Sequence, residues 1–248
     1  MKNKLDALRK QYEVKEFIYS DPIQFPHRFK TLEEIEISAF LASGFAYGKR
    51  ELFIQKLNLL FEIMNNKPLE FILGFEDNKE KLKGFNYRFI KDFDLVCVLE
   101  LLNKLYAKKS NLRELFYNSK AKNGSLQGVC DYFYSNCNNL TAGFCHFLPN
   151  PKNGGALKRL NMFLRWMTRD GEVDLGVWDI YKKSELLIPL DTHVATISRE
   201  FNLLTRSSND FKAVIELTEK LKEFNPDDPT GYDFALFGLG VNREKLSW

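Results

Sequence analysis

The most informative segment of the chain reads PNPKNGGALKRLNMFLRWM and runs from Pro149 to Met167. A turn rich in proline, asparagine and glycine leads directly into residues with helical apolar spacing, which predicts a turn followed by an amphipathic helix. The buried stripe of that helix is expected to contain Leu160, Phe163, Leu164 and Met167. Another side is expected to carry Lys158, Met162, Arg165 and Arg169.

This turn and the start of the helix suit a phosphate backbone. Gly154 and Gly155 allow the main chain to approach a ligand closely, and the N–H groups at a helix start attract an anion. Lys152, Lys158 and Arg159 add positive charge. The alternative is an ordinary turn before a helix with a solvated basic face.

The rest of the chain follows the same helical periodicity. Apolar residues recur at helical spacing from Leu5 to Tyr12, Glu33 to Ala46, Leu52 to Met64 and Asp92 to Ala107, and strand-like alternation is hard to find. We therefore expect an all-α fold. Because no glycine- or serine-rich linker is visible, two domains would have to be closely packed.

Composition limits the class of protein. The 248 residues are 44% hydrophobic and 28% charged, with a net charge of +3, which indicates a folded protein. No apolar stretch of about 18 residues and no secretion signal is visible, so we expect a cytoplasmic protein without a membrane partner. The cysteines, at positions 97, 130, 137 and 145, lack C-x-x-C spacing, which favours free thiols over a metal site.

A second segment, from Ile188 to Val194, reads as a chain entering a helix. Asp191 is a suitable N-cap, and Val194, Ile197 and Phe201 supply an apolar stripe. On these residues alone, Asp191 would only cap the helix, and His193 would be an ordinary surface or core histidine.

The pattern Pro-Leu-Asp-Thr-His-Val, followed by Ser198 and Arg199, resembles the catalytic aspartate segment of the helix-hairpin-helix DNA glycosylases. In bifunctional members of that superfamily, an upstream hairpin carries a nucleophilic lysine. Lys158 takes that position, at a separation that is similar to the archaeal-type 8-oxoguanine DNA glycosylase/lyase. The resemblance covers roughly residues 40–240, although the hairpin departs from the usual Leu-Pro-Gly-x-Gly form.

The resemblance implies an all-α fold of two helical lobes, with a helix-hairpin-helix motif and a DNA- and base-binding cleft between them. One lobe would span residues 31–185 and end in the hairpin, and the other would combine residues 1–30 with 186–248. The implied partner is double-stranded DNA containing a damaged base, bound by a monomer in a bacterial or archaeal nucleoid. No cofactor and no metal are expected.

The implied reaction is base excision repair of an oxidised purine, 8-oxoguanine, with AP lyase activity. Lys158 attacks C1′ of a nucleotide flipped out of the duplex, and Asp191 stabilises the positive charge that develops on the sugar. The resemblance places Lys152, Gly154, Gly155, Arg159 and His193 among the DNA contacts.

Near the C-terminus, Asp227 or Asp228 is expected to cap a last helix, which Gly238 and Gly240 would end. Asp233 and Phe237 are four residues apart and share a face. The resemblance implies that Asp233 reads the Watson–Crick edge of the flipped base and that Phe237 stacks on it. The alternative is a packing helix with an exposed aspartate.

Two further segments are candidates for DNA and base contacts. The segment from Asp21 to Phe29 shows no helical pattern, and the resemblance suggests that Gln24 reads the N7–H of 8-oxoguanine. The alternative is a loop that packs Phe25 and Phe29.

The segment from Ser43 to Arg50 ends the second helix. In the superfamily, the comparable loop fills the gap that the flipped base leaves. Phe45 or Tyr47 could serve as that wedge, and Lys49 and Arg50 could hold phosphates. Alternatively, the basic residues only stabilise the dipole at a helix C-terminus.

Three other functions stay open on the sequence. The first is a glycosylase of the same fold for another damaged base, and the second is a DNA-binding module that has lost catalysis. Lys158 far from Asp191 would favour the second. The third is a helical bundle for protein interaction, in which the basic residues would be scattered. The residues between Trp166 and Asp191 form a long insertion that could reposition the lysine or only pack.

Overall fold

The computed structural model describes residues 1–123 and 125–244, which divide into two compact units. The split unit combines residues 1–24 with the chain from Gly154 onward, and the central unit is Phe25–Asn153. One of the two predicted lobes was also discontinuous, but the predicted boundaries differ from these, since residues 154–185 join the split unit. The reason is that Arg165 and Arg169 form ion pairs with residues of that unit, including Glu13 near the N-terminus.

Helices account for most of the described chain, so the all-α prediction is confirmed at this level. The α-helices are α1 (Lys2–Tyr12), α2 (Glu16–Ser20), α3 (Leu32–Phe45), α4 (Arg50–Ile63), α5 (Pro68–Leu73), α6 (Phe75–Asn78), α7 (Asp92–Tyr106), α8 (Leu112–Asn123), α9 (Ser125–Asn136), α10 (Ala142–Phe147), α11 (Lys158–Thr168), α12 (Thr192–Glu200), α13 (Phe211–Lys222) and α14 (Asp233–Glu244). Short 3₁₀ helices cover Pro22–Gln24, Pro26–Arg28, Lys79–Leu82, Pro151–Asn153, Lys183–Glu185 and Pro229–Tyr232.

A small β-hairpin interrupts the helices of the central unit. Strands β1 (Asn86–Tyr87) and β2 (Ile90–Lys91) pair antiparallel, with Tyr87 opposite Ile90. The prediction that the whole chain is helical was wrong here. Strands of two residues are too short for the alternating pattern by which a strand is recognised in a sequence.

The core of the central unit is aromatic. Phe40 stacks on Phe133 with the ring centroids 5.4 Å apart, and Phe147 lies 5.7 Å from both Phe40 and Phe45. The buried carboxylate of Glu36 accepts hydrogen bonds from the Tyr106 hydroxyl at 2.7 Å and from the backbone N–H of Leu112 at 3.1 Å. A hydrogen-bonded carboxylate is therefore tolerated inside an otherwise apolar core.

In the split unit, α14 packs against both α1 and α12. A Cβ at Gly238 would lie 2.3 Å from the Tyr12 ring, and one at Gly240 would lie 2.8 Å from Cβ of His193. The two glycines therefore allow close helix packing inside α14. The prediction that they end this helix was wrong, since α14 continues to Glu244.

The start of α14 also differs from the prediction. The 3₁₀ turn Pro229–Tyr232 precedes the helix, and Asp228 makes no side-chain cap hydrogen bond. Instead, Asp228 is paired with Arg169 at 2.8 Å and with Arg9 at 3.0 Å. The cap role proposed for Asp228 was wrong because two buried or half-buried arginines compete for its carboxylate.

Among the described residues, no helix combines the length and the apolar character that crossing a membrane requires. All four cysteines are free.

Candidate functional site

A lysine and an aspartate from two helix starts meet in the split unit. Lys158 is the first residue of α11, and Asp191 is the N-cap of α12. Nζ of Lys158 lies 2.9 Å from Oδ2 of Asp191, with the two side chains 31% and 13% exposed. The other oxygen of Asp191, Oδ1, accepts a hydrogen bond from the Val194 N–H at 2.9 Å. Asp191 therefore caps its helix, as predicted, and contacts the amine at the same time.

The backbone leading to Lys158 is strained and anchored. Leu157 has a φ of 52°, a left-handed conformation that is unfavourable for a bulky side chain and that is often found at functional sites. Just before it, Gly155 forms a bridge with Asp210, and the Phe211 N–H donates to the Gly154 carbonyl at 2.9 Å. The position of Lys158 is thus set by the start of α13 as well as by its own helix.

Gly154 and Gly155 are exposed, and a Cβ added at either would meet no atom within 4 Å. Gly154 has a φ of 70°, which favours glycine. The backbone here is open to a ligand, as the phosphate hypothesis requires. Arg159, the second residue of α11, is half-buried.

Helix α14 contributes an aromatic ring to the same place. The ring centroid of Phe237 lies 5.8 Å from Nζ of Lys158, a cation–π distance, and 5.8 Å from the His193 ring, which meets it edge-on. The structure therefore brings together four residues of the predicted site: Lys158, Asp191, His193 and Phe237. We call these four residues and Asp233 the lysine site.

Asp233 is buried one helical turn before Phe237. Its Oδ2 is paired with a guanidinium nitrogen of Arg165, whereas its Oδ1 has no hydrogen-bond partner among the described residues. Burial raises the pKa of Asp233 to about 7; Arg165 and Lys158 oppose the shift, and Asp191 adds to it. The expectation of an exposed aspartate was wrong. The side chain is buried, and its Oδ1 is a hydrogen-bond acceptor without a donor among the described residues.

A buried ion network lies behind Asp233 in the same unit. Arg165 also contacts Asp174 at 3.3 Å, and Arg169 pairs with Asp174. Arg169 further pairs with Asp228 at 2.8 Å and Glu13 at 2.9 Å. Burial lowers the pKa of Arg169, but Asp174, Asp228 and Glu13 outweigh it and raise the pKa above its ordinary value.

This network corrects the view of Arg165 and Arg169 as part of a basic face. The two side chains are 3% and 0% exposed, so they cannot meet a phosphate backbone. A buried guanidinium needs a carboxylate, and these helix positions point into the unit. The role of Arg165 beside Asp233 was missed, although its place two turns after Lys158 on the same face was a usable signal.

The insertion between Trp166 and Asp191 packs against α11. Trp178 is buried, with its ring 5.2 Å from that of Phe163, and its backbone N–H donates to the Met167 carbonyl at 2.7 Å. Asp174 belongs to the ion network. Of the two roles left open for this segment, packing is the one that these contacts support.

Gln24 ends the 3₁₀ helix Pro22–Gln24, so the prediction of a segment without helical structure was wrong. Its Nε2 donates to the carbonyls of Tyr19 and Asp21, at 3.1 and 3.2 Å. The amide is therefore oriented by its own neighbours, and its role in base reading stays a prediction. In the central unit, Phe25 is buried and stacks on Phe61 at 5.2 Å, as the packing alternative expected.

The wedge candidates lie in the central unit. Phe45 is fully buried between Phe85 and Phe147, which argues against insertion into DNA because a wedge must reach the base stack. Tyr47 is half-buried and donates its hydroxyl to the Tyr87 carbonyl at 3.0 Å.

The basic candidates of the central unit lie at or near its surface. Lys49 is exposed and precedes α4, whose first residue is the half-buried Arg50. They begin a helix, so the explanation by a helix C-terminal dipole was wrong. Lys152 is exposed, with its Nζ 3.8 Å from Asp131. In the described ranges, no three His, Cys, Asp or Glu side chains are grouped to hold a metal ion.

These features define a helical protein with a partly buried lysine–aspartate pair backed by an ion network. Residues 21–242 match the family described as "Protein of unknown function (DUF2400)", and the chain belongs to that family. No match to a curated protein or to a solved structure is found.

Proposed function

We propose that this protein is a DNA glycosylase with AP lyase activity that excises an oxidised purine, 8-oxoguanine, from double-stranded DNA. The observation that carries the proposal is the 2.9 Å contact between Lys158 and Asp191. One reacting sugar must lie within reach of both groups, and a module without catalysis has no need to hold them together. The helix-hairpin-helix motif and the base-binding cleft belong to the proposal, because they rest on the sequence resemblance.

The reaction requires the unprotonated amine of Lys158. With its proton passed to solvent or to Asp191, the nitrogen lone pair attacks C1′, and the bond from C1′ to the base nitrogen breaks. The base leaves with the electron pair of that bond and takes up a proton. Asp191 stabilises the positive charge on the sugar while the old bond breaks faster than the new one forms.

The lyase step proceeds from the covalent intermediate. Opening of the sugar ring gives a protonated imine between Lys158 and C1′. Loss of a proton from C2′ then expels the 3′ phosphate, which nicks the strand by β-elimination. Asp191 lies close enough to the amine to accept and return protons during these steps.

Asp233 and Phe237 supply base selection. An ionised Asp233 accepts from the N1–H and N2–H₂ donors of a guanine-type base, and its buried, unpartnered Oδ1 is one such acceptor. Adenine has no proton on N1 and would be repelled. Phe237 offers a ring for stacking next to the lysine. Because the pKa of Asp233 is raised to about 7, base release is expected to increase as the pH rises through 7.

Borohydride trapping on a duplex carrying one 8-oxoguanine tests the proposal. We expect a covalent adduct with the wild type and none with Lys158→Gln, because an amide cannot form the imine. Lys220→Gln is the matched control, since Lys220 on α13 has a side chain that is 40% exposed and is paired with Glu223. It is expected to trap like the wild type.

Base release without an adduct would contradict the role of Lys158 and indicate a glycosylase without lyase activity. If neither base release nor an adduct is observed, 8-oxoguanine is rejected as the substrate. The same assay on duplexes with other oxidised or alkylated purines then separates another lesion from a module that only binds DNA.

A further inference from the structure

Two of the four cysteines lie side by side in the central unit. Cys97 is on α7, and Cys137 is the residue that follows α9. The Cys97 thiol forms a hydrogen bond with the Cys137 thiol, which in turn donates to the Asn139 carbonyl at 3.2 Å. Both side chains are half-buried. The two sulfur atoms are therefore neighbours, although their residues are far apart in the chain. We call Cys97 and Cys137 the cysteine pair.

Contacts on both sides of the cysteine pair hold the two segments together. One helical turn further along α7, the Leu101 carbonyl accepts a hydrogen bond from the Tyr132 hydroxyl of α9 at 3.3 Å. At the start of α7, the Asp94 carboxylate accepts a hydrogen bond from the Thr141 hydroxyl. The pair lies between these two contacts in both segments. The tertiary fold therefore sets the approach of the sulfurs.

This arrangement meets the requirements for a disulfide. A disulfide forms where two Cα atoms lie within about 7 Å and the side chains point toward each other. The hydrogen bond between the thiols meets the condition on direction, and the flanking contacts hold the two backbones close. The cysteine pair can therefore be joined without a rearrangement of α7 or α9.

The other two cysteines direct their sulfurs at oxygen atoms. The Cys145 thiol forms a hydrogen bond with the Tyr134 hydroxyl. The buried Cys130 thiol donates to the Pro149 carbonyl at 3.6 Å. Because they belong to the same central unit, these two cysteines are internal controls for any chemistry at the cysteine pair.

The two thiols of the pair differ in their surroundings. Burial raises the pKa of the Cys97 thiol, and the neighbouring Cys137 adds to the shift, so Cys97 keeps its proton at neutral pH. Cys137 is followed by the exposed residues Asn138 and Asn139, so a small solute can reach its sulfur. A stepwise oxidation needs both: an accessible sulfur that is oxidised first, and a neighbouring thiol that displaces the oxygen.

We propose that the cysteine pair is an oxidation site, at which a hydroperoxide converts the two thiols into a disulfide between α7 and the end of α9. The Cys137 sulfur attacks a peroxide oxygen. An S–O bond forms, the O–O bond breaks, and the other oxygen leaves with the thiol proton as water or an alcohol. The Cys97 sulfur then attacks the Cys137 sulfur. The S–S bond forms, the S–O bond breaks, and hydroxide leaves with the Cys97 proton as water. The two sulfurs together lose two electrons, which the peroxide gains.

The disulfide closes a long loop that contains α8 and α9. A cross-link across a long loop stabilises a fold by restricting the unfolded chain. Oxidation therefore couples the stability of the central unit to the presence of an oxidant. The inference goes beyond the proposed function and does not rest on it, because the lysine site belongs to the split unit.

Hydrogen peroxide treatment of the folded, reduced protein tests the proposal. Thiols are counted after denaturation, and linked peptides are identified by mass spectrometry without reduction. We expect the count to fall from the four free cysteines to two, with one peptide pair joined through Cys97 and Cys137. Dithiothreitol is expected to restore all four thiols.

Cys97→Ser and Cys145→Ser are the matched variants. Cys97→Ser is expected to lose the cross-link completely, because the displacing thiol is gone. Cys145→Ser replaces another half-buried cysteine of the same unit and is expected to keep the cross-link. Circular dichroism checks that both variants are folded.

Denaturant unfolding gives a second readout. The oxidised wild type is expected to unfold at a higher denaturant concentration than the reduced wild type. Peroxide treatment is expected to give no such increase in Cys97→Ser, which cannot form the cross-link.

A thiol count that stays at four, a link through Cys130 or Cys145, or a link between two molecules would overturn the proposal. Oxidation of Cys137 to a sulfinic acid without a link would also overturn it, because the second sulfur then does not reach the first. A Cys97–Cys137 link that forms equally fast in the unfolded protein has the same meaning, since the fold then contributes nothing to the pairing.

Discussion

The split unit and the central unit differ in what they bury. The split unit places Arg165, Arg169 and Asp174 in its interior as ion pairs. The central unit buries phenylalanines against each other, and its buried Glu36 accepts neutral hydrogen bonds. Electrostatic interactions are stronger away from water, so the buried charges of the split unit are suited to stabilise a charged group beside them.

The two proposals also fall in different units. The lysine site contains a lysine and two aspartates, and one of them, Asp233, is paired with Arg165 of the ion network. The cysteine pair belongs to the central unit with its phenylalanine-rich core. The proposed reaction is thus assigned to the unit with buried ion pairs, and the proposed oxidation to the unit with a phenylalanine core. Substitutions in each unit test this assignment.

Arg169→Met is expected to have the largest effect on stability. It leaves Asp174, Asp228 and Glu13 without their shared cation and is expected to reduce the free energy of unfolding by about 3–5 kcal/mol at pH 7. The loss is expected to shrink at pH 4.5, where the carboxyls can take up protons. Denaturant unfolding at both pH values measures it.

Phe45→Ala gives the counterpart in the central unit. It opens a cavity and is also expected to cost about 3–5 kcal/mol, but equally at both pH values. Lys220→Met, at an exposed ion pair, is expected to change stability by less than about 1 kcal/mol. A pH-independent loss in Arg169→Met would contradict the distinction between the units.

Asp233→Asn is expected to have an intermediate effect that depends on pH. The folded-state pKa of about 7 exceeds the ordinary value of 3.8, so the folded protein keeps a proton that the unfolded chain loses between those values. The wild type therefore loses free energy of unfolding as the pH rises from about 4 to about 7. Asparagine keeps the shape without the charge and avoids this loss.

The free energy of unfolding of Asp233→Asn is expected to equal that of the wild type at pH 4. It is expected to exceed the wild-type value by on the order of 3 kcal/mol at pH 8. Thermal or denaturant unfolding across this range measures the difference. A constant difference would mean that Arg165 keeps Asp233 ionised throughout, which contradicts the raised pKa.

Asp191→Asn is expected to change stability least and activity strongly. Asparagine caps a helix about as well as aspartate, so the loss of free energy should stay below about 1 kcal/mol. Base release, if the proposed function holds, is expected to fall about 100-fold because the carboxylate beside Lys158 is gone. Single-turnover release and unfolding are measured on the same preparation.

Asp191→Ala is the comparison variant, since it also removes the helix cap. Its free energy of unfolding should be about 1 kcal/mol lower than that of Asp191→Asn. Full activity in Asp191→Asn would show that Asp191 only caps α12, which is the alternative that the sequence left open.

Several elements could be predicted from local pattern. The helices around Leu5, Ile35, Leu57 and Leu102 follow their apolar spacing, and Asp191 caps α12 as its neighbours indicated. The pairing of Lys158 with Asp191 required the family resemblance, because no local pattern relates two helix starts so far apart in the chain. The hairpin at Tyr87 was missed, since four paired residues carry no periodicity.

The amino-acid sequence was sufficient for the helical class and for the start of α12 at its aspartate, because capping and apolar spacing act between near neighbours in the chain. Tertiary packing was needed to show that Phe45 is core, that Cys97 meets Cys137, and that Arg165 faces Asp233 instead of phosphate. Burial and ion pairing depend on which distant segments of the chain meet. The identity of an arginine or a phenylalanine does not tell whether its side chain is buried or exposed.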